Sequence, residues 1–440
     1  MKSLSTKPYK GTRDFYPEDM RIQQWMFKHL RSVAESYGYQ EYDGPMLESL
    51  ELYAAKTGEE IVNTQLYSFE DRGGRKVAMR PEMTPTLARM VAGQVNELPK
   101  PVRWFSFPNL WRYERPQRGR LREHWQFNLD ILGGDPLLAD AEVLQLAYDV
   151  VDGFNGADRV QIHVNNRRLV DHFLAVPLGL QPEQALKVCK AIDAKNKISP
   201  EQFDNLLIEA GVDASKVNEL KEFFEKDFQT LSKEYPCEGI TEIETVMQSL
   251  QDQQLGEVVR FDPQIMRGMD YYTGTVFEMY DTSPENNRAM FGGGRYDNLV
   301  GLFGKNTLSG VGFGMGDVTL RNFLETHDLL PKFDSWHDFF ITMTGSEDVG
   351  RGQKISRALR KQGFKVLQSI HQSKLGQQLK IADKHQAKFA VIFGESEWNE
   401  GKVVFKNLLT GQQTVRPVDD ILSADRLNLE DTASGTEQKN

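Results

Sequence analysis

Residues 112–122 read Arg-Tyr-Glu-Arg-Pro-Gln-Arg-Gly-Arg-Leu-Arg, a run crowded with guanidinium groups. Pro116 and Gly119 mark a loop between two strands. Arginine stays charged at physiological pH and grips phosphate through two parallel hydrogen bonds. Arg112 stands where a strand should be half buried, and a buried cation is costly unless an anion meets it. The loop therefore points to a phosphate-bearing ligand, either a nucleotide or a nucleic acid. The plain alternative is a solvated loop.

Three further stretches carry side chains that suit chemistry. Arg80-Pro81-Glu82-Met83-Thr84 sets a carboxylate and a hydroxyl just after a strand end. The same two residues also suit the first turn of a helix after Pro81. Arg267-Gly268-Met269-Asp270-Tyr271-Tyr272-Thr273-Gly274 joins two tyrosines to a cation and an acid between glycines. That composition suits a pocket for a planar polar ligand, with Arg267 able to meet an anion; a strand partly buried by Tyr272 is the alternative. Phe291-Gly292-Gly293-Gly294-Arg295-Tyr296-Asp297 and Gly310-Val311-Gly312-Phe313-Gly314-Met315-Gly316 space glycines so that a ligand or another strand can come close. Neither run is a phosphate loop ending in Gly-Lys-[Ser/Thr] or a dinucleotide fingerprint. A nucleotide bound here needs another architecture.

The elements that must position these residues follow from periodicity. Ile22, Trp25, Met26, Leu30 and Val33 predict an amphipathic helix over 19–37. Strands are expected at 76–80, 102–107 and 123–132, the last from Trp125, Phe127, Leu129 and Ile131 alternating with polar residues. A helix over 137–152 and a strand over 159–164 follow. Residues 166–252 read as a helical insertion. Strands resume at 257–261 and 275–280, and a helix spans about 316–327. After a linker at 332–337 the order is strand, helix, strand, helix, strand, strand, which predicts a small α/β domain. The expected fold class is α+β: a largely antiparallel sheet core with a helical insertion, plus a C-terminal α/β domain. The expected domains are 1–331, 332–426 and a disordered tail at 427–440.

Composition sets outer limits. A chain of 440 residues exceeds one ordinary core. No apolar run is long enough to span a bilayer, and Met1 to Lys10 lack the apolar centre of a secretion signal. A cytoplasmic location and no membrane partner are expected. Cys189 and Cys237 form neither a metal cluster nor a disulfide framework. The net charge of −10 argues against a polyanion partner, yet charge is uneven. Residues 351–388 hold ten Lys/Arg against one acid, and 103–122 hold six Arg against one Glu. Local patches decide polyanion binding.

In this order the pieces resemble a class II aminoacyl-tRNA synthetase, and within that class the histidine-specific family. Lys10-Gly11-Thr12-Arg13-Asp14 resembles the family's opening. Pro45 resembles the motif 1 proline of its dimer interface, and residues 112–130 resemble motif 2 and its loop. Arg267 to Gly274 is similar to a stretch peculiar to the histidine enzyme. Gly376-Gln377-Gln378-Leu379-Lys380 and Ala390-Val391-Ile392-Phe393-Gly394 resemble its anticodon-binding domain.

The resemblance implies ATP and Mg²⁺, L-histidine and tRNA(His) as partners, and a homodimer. It implies that Arg112 and Arg267 are the catalytic cations at the α-phosphate, with Glu114 at the adenine end. Glu82, Thr84, Gln126 and Asp130 would bind the histidine amino group and its surroundings, and Tyr272 and Tyr296 would frame the imidazole. Gln117, Arg118, Arg120 and Arg122 would contact tRNA, and no metal ligand is assigned to the protein. One departure stands out. The family usually carries an adenine-stacking arginine where this chain has Thr319; Arg321 lies roughly 200° further around the helix. Either another clamp serves, or ATP handling is impaired. The alternative function is a synthetase-like regulatory subunit of ATP phosphoribosyltransferase.

Overall fold

A computed structural model describes residues 4–54, 64–195, 198–266, 271–286, 288–333, 335–370, 373–423 and 427. Of the tail expected to be disordered at 427–440, Leu427 is instead buried in the core of the second unit, and 428–440, like the motif residues Arg267, Gly268, Met269 and Asp270, lie outside the described residues. Internal contacts divide the chain into Met1–Leu330 and Pro331–Asn440.

The first unit opens with helix α1 (Pro17–Ser36). Pro17 sits at its first turn, where a missing N–H costs nothing, and Glu18 and Asp19 face the positive end of the helix dipole. Short elements follow: β1 (Gln40–Glu41), β2 (Leu47–Ser49), α2 (Leu50–Ala54), β3 (Ser68–Glu70), β4 (Lys76–Met79) and α3 (Thr84–Gly93). Then come β5 (Val102–Ser106), β6 (Asn109–Trp111), β7 (Glu123–Leu132), α4 (Pro136–Asp152) and β8 (Val160–Asn166). The Asp135 carboxylate caps α4 by accepting from Leu137 N and Leu138 N at 3.0 and 3.1 Å. Helices α5 (Arg167–Ala175), α6 (Pro182–Ala194), α7 (Pro200–Glu209), α8 (Val217–Phe223), α9 (Phe228–Glu234) and α10 (Glu238–Asp252) form the helical stretch. The unit ends with β9 (Val259–Phe261), β10 (Thr275–Asp281), β11 (Ala289–Tyr296), β12 (Gly310–Gly316) and α11 (Asp317–Thr326).

The main sheet runs β1-β5-β7-β12-β11-β10-β8-β9, with β6 also paired to β7. Its centre is antiparallel; β1–β5 and β8–β9 are the parallel pairs. Strand alternation gives the sheet two unlike faces. Phe127, Leu129, Ile131, Val311, Phe313, Met315, Phe277 and Met279 belong to a buried core shared with Met26 and Leu30 of α1 and Val143, Ala147 and Val150 of α4. In register with one another on the other face are Asp130 and Gly312, then Gly312 and Gly294. Strands β2, β4 and β3 make a separate small sheet.

The helical stretch has its own core, built on Phe173, Phe223, Leu207 and Leu220. It is not a detached body, because α10 belongs to both cores. Ile240 and Ile243 pack in the insertion, whereas Val246 and Leu250 pack beneath the sheet. A buried ion pair ties the back of the sheet to α4. Arg295 Nη2 lies 2.5 Å from Asp140 Oδ1, with the two side chains 3% and 1% exposed. Arg295 also donates to Pro136 O at 2.5 Å and to Ser309 Oγ.

The second unit comprises β13 (His337–Ile341), α12 (Asp348–Lys361), β14 (Val366–Gln368), α13 (Leu375–Lys384), β15 (Ala387–Ile392), α14 (Glu395–Asn399), β16 (Lys402–Asn407), β17 (Gln413–Pro417) and α15 (Val418–Ser423). Its sheet order is β14-β13-β15-β16-β17, parallel on one side and antiparallel on the other. Phe339, Ile341, Ile355, Leu359, Val391 and Phe405 fill its core. Gln378 is fully buried and clips α13 to the end of β13, accepting from Met343 N at 2.9 Å and donating to Met343 O at 2.8 Å.

Arg295→Ala should destabilise the protein by about 3–5 kcal/mol, because it leaves the Asp140 charge buried without its partner. Urea unfolding checks this; a loss of under about 1 kcal/mol would mean that the pair does not anchor the sheet.

Candidate active site

The polar face of the sheet holds a pocket. Its walls are Glu82, Thr84, Arg112, Gln126, Asn128, Asp130, Tyr271, Tyr272 and Tyr296, with Gly292, Gly312, Phe313 and Gly314 completing it. Alternation along β7 delivers Gln126, Asn128 and Asp130 to one side at every second position. The glycines opposite make room for them. A Cβ on Gly312 would stand 2.2 Å from Asp130 Oδ1 and 2.4 Å from Leu129 O. Any side chain there would displace the carboxylate or the backbone.

Asp130 is 4% exposed. Tyr296 Oη donates to its Oδ1 at 2.6 Å. Burial pushes the Asp130 carboxyl up to about 7, and the Tyr296 hydrogen bond only partly opposes this. The Tyr296 hydroxyl is itself raised well above its ordinary value by burial and by the neighbouring carboxylate. Asp130 is thus poised to switch between acceptor and donor near neutral pH.

Glu82 is held differently. Arg80, buried at the end of β4, donates to Asp43 Oδ1 and Gly44 O at 2.7 Å each, and to Asn109 O at 3.0 Å. These bonds pin the Pro81–Glu82 corner. Tyr271 Oη donates to Glu82 Oε2 at 3.0 Å. Thr84 is the first residue of α3, so the helix-start reading and the pocket reading of this stretch both hold.

Arg112 is the one basic side chain among the described pocket residues. Its Nε donates to Pro81 O at 2.9 Å, which anchors the guanidinium at the pocket wall; Glu114 Oε1 lies 3.9 Å from Nη1. Next to it, burial and then the charges of Arg112 and Arg13 push His124 down to about 3. His124 therefore stays neutral between two cations at physiological pH. The pocket sets two carboxylates and one fixed guanidinium around a tyrosine cluster, with Tyr271 and Tyr272 ring centroids 5.0 Å apart and Tyr271 and Tyr296 5.9 Å apart. It can take a ligand with a cationic or N–H-bearing end, a flat ring and an anionic end.

The sequence-predicted residues Glu82, Thr84, Arg112, Gln126, Asp130, Tyr272 and Tyr296 come together here. Arg267 lies outside the described residues. Glu114 stands beside the pocket, half-buried, with Arg120 Nη1 at 3.5 Å. Gln117, Arg118 and Arg120 are exposed in the hairpin between β6 and β7, where Gln117 bridges Arg120. Arg122 departs from the expectation of an RNA-facing cation. It is 9% exposed, stacks over the Tyr113 ring at 4.0 Å and donates to Tyr9 Oη at 2.9 Å. Asn128 and Tyr271 were missed as site residues. Alternation from Gln126 to Asp130 would have found Asn128; which tyrosine of the pair turns inward towards Glu82 has no signal in the sequence.

A family model described as Histidyl-tRNA synthetase matches residues 11–318, and one described as Anticodon binding domain matches residues 339–424. The chain is 45% identical over 419 residues to a histidine–tRNA ligase of Leptospira biflexa, covering 94% of this chain and 95% of that one. It is 38% identical over 425 residues to a histidine–tRNA ligase of Thermoplasma volcanium, covering 94% and 96%. The fold is similar to the crystal structure of histidyl-tRNA synthetase from Nostoc sp. PCC 7120, with a TM-score of 0.78, 25% identity and coverage of 95% and 98%.

Asp130 makes stability depend on pH. Its folded value of about 7 exceeds the ordinary 3.8, so between those values the folded chain holds a proton that the unfolded chain has released. Stability from this group therefore falls as pH rises through that window. Asp130→Asn should raise stability at about pH 8 by on the order of 2 kcal/mol and leave it nearly unchanged at about pH 4. Thermal unfolding at both pH values tests this; an equal effect at each would exclude a buried, raised carboxyl.

Proposed function

The chain belongs to the histidyl-tRNA synthetase family, and from that premise we propose that the pocket on β7, β11 and β12 is where it joins histidine to ATP. The reaction is ATP-dependent activation of L-histidine to histidyl-adenylate, followed by transfer of the histidyl group to the 3′ end of tRNA(His). The observation that carries the site assignment is the meeting of Glu82, Thr84, Arg112, Gln126, Asp130, Tyr272 and Tyr296 around one cavity.

Glu82 and Thr84 receive the ammonium group, with Tyr271 holding the Glu82 carboxylate in place. Asp130 accepts an imidazole N–H, and Tyr272 and Tyr296 flank the ring. A site that hydrogen-bonds ring nitrogens rejects analogues that leave its buried acceptors unpaired. Gln126 lies beside the amino acid's reacting end. The histidine carboxylate attacks the α-phosphorus, forming the acyl–phosphate bond as pyrophosphate leaves. Two anions must approach each other, so positioning and fixed positive charge dominate the catalysis. Arg112 supplies one guanidinium at the α-phosphate. Arg267 is proposed as the second, and Glu114 lies at the adenine end.

ATP enters as its Mg²⁺ complex. Mg²⁺ takes one or two carboxylates and keeps phosphate oxygens and water as its other ligands. Among the described residues no group of three or more His, Cys, Asp or Glu could hold a metal ion.

The exposed Gln117, Arg118 and Arg120 meet the tRNA acceptor end. In the second unit, nine of the ten Lys/Arg between 351 and 388 are exposed and give the anticodon-binding domain its basic surface. Leu47 and Phe69, 45% and 50% exposed on the small sheet, form part of the homodimer contact. Among the described residues no helix is long and apolar enough to cross a membrane, and the cytoplasm is proposed as the location. The regulatory-subunit alternative draws less support, because both named relatives are ligases matched along almost their whole length.

Histidine-dependent ATP–pyrophosphate exchange tests the reading; no exchange across a range of Mg²⁺ concentrations would overturn it. Arg112→Ala should lower kcat for exchange by about 10²–10³-fold. Arg118→Ala with Arg120→Ala should leave exchange intact and flatten the salt dependence of tRNA charging by roughly 0.7–0.9 in log–log slope for each phosphate that is no longer neutralised. An unchanged slope would remove these residues from the RNA interface.

A further inference from the structure

The segment Tyr9–Asp14 lies across the root of the arginine hairpin and makes no part of the pocket wall. Its first anchor is Gly11, whose carbonyl accepts from Arg122 N at 2.8 Å and from Glu123 N at 3.3 Å. Gly11 has φ of 87°, and a Cβ there would meet Arg122 Cγ at 2.8 Å. The Arg122 side chain is locked in turn by Tyr9 Oη at 2.9 Å, by Glu114 O at 3.2 Å and by the Tyr113 ring. The carbonyl of Arg122 accepts from Arg112 N at 2.9 Å. A continuous backbone ladder therefore runs from Gly11 through Arg122 to Arg112.

The second anchor is Arg13. Its Nη2 donates to Asp317 Oδ2 at 2.6 Å, and the Asp317 side chain is 1% exposed. Asp317 opens α11, accepts from Trp125 N at 3.0 Å through Oδ1 and receives Gln23 Nε2 at 3.0 Å. Arg13 lies 4.8 Å over the Phe15 ring, which meets Trp125 edge-on at 5.3 Å. The two anchors grip residues 122–125, the stretch that carries the hairpin into β7. Asp130 lies further along β7, and Glu82 is fixed from β4 by Arg80.

We propose that this N-terminal strap is a positioning element for the ATP half of the site: Arg13 and Gly11 hold the hairpin root so that Arg112 faces the phosphate, while Glu82 and Asp130 also have holds of their own, from Tyr271 and from Tyr296. The inference rests on the assignment of Arg112 to ATP. Arg13 touches neither substrate; it acts through Asp317 and β7.

Pyrophosphate exchange with purified full-length enzyme separates the possibilities. Wild-type enzyme that fails to exchange defeats the functional reading itself. With wild type active, Arg13→Ala should raise KM for ATP at least tenfold and change KM for histidine less than twofold. Arg13→Lys should restore most of the loss. Tyr9→Phe removes one hydroxyl from a largely exposed side chain, keeps the fold and should raise KM for ATP two- to fourfold. In an Arg112→Ala background, Arg13→Ala should weaken equilibrium ATP binding less than twofold further. Equal changes in both KM values, a pure loss of thermal stability, no effect of Tyr9→Phe, or full additivity with Arg112→Ala would each overturn the proposal.

Discussion

One constraint governs the active unit: a single sheet must be oil on one face and a bare polar floor on the other. The register between β7 and β12 imposes it. Phe127, Leu129 and Ile131 turn towards α1 and α4, and the residues between them have no choice but to face the opposite way. A slip by one residue would bury Gln126, Asn128 and Asp130 in the core and expose three large apolar side chains. The packing that stabilises the fold is thus the same packing that presents the site. The glycines of β12 complete the arrangement, because Asp130 fills the space that a Cβ at Gly312 would need.

Placing polar groups on a desolvated floor has an electrostatic cost, and the protein meets it unevenly. Glu82 and Arg112 share one corner, where Arg80 and Pro81 O orient both. Among the described residues Asp130 has Tyr296 as its partner, and burial raises its carboxyl towards neutrality. A raised acid is an unsatisfied one, and an N–H-bearing ring would relieve it. On the other side of the sheet Arg295 and Asp140 meet away from water with further hydrogen bonds made, yet burial still holds the Asp140 carboxyl above its ordinary value despite the guanidinium. Each face of the sheet therefore carries a desolvated carboxyl.

Much of this was legible in the sequence because alternation and helical spacing are local. The strand expected over 123–132 spans Glu123–Leu132, and the helix expected over 137–152 spans Pro136–Asp152. The class of the fold followed from the order of such elements. Short pieces were harder. Strands β1, β2 and β6 have two or three residues each, too few to show a period. Arg122 was misplaced for a related reason. Six arginines close together look alike as a list, and only the fold shows that Tyr9 and Tyr113 claim one of them. The glycine runs were read as permitting close approach without revealing what approaches; that depended on the strand order β7-β12-β11, which no local pattern fixes.

Thr319 shows how a departure from a family pattern can be coherent in space. Its hydroxyl turns back to donate to Gly316 O at 3.0 Å, so it extends nothing towards a ligand. Arg321 does not take its place, because its guanidinium is engaged by Asp19 at 2.9 Å and Glu325 at 2.8 Å. What stands over Thr319 is the tip of the arginine hairpin: a Cβ on Gly119 would touch Thr319 Cγ2 at 3.4 Å. The neighbouring Arg118 fastens that tip to Asn286 and to Thr326 of α11, each at 3.1 Å. A long side chain at 319 and a seated hairpin would compete for the same volume. The short residue and the docked loop therefore belong together.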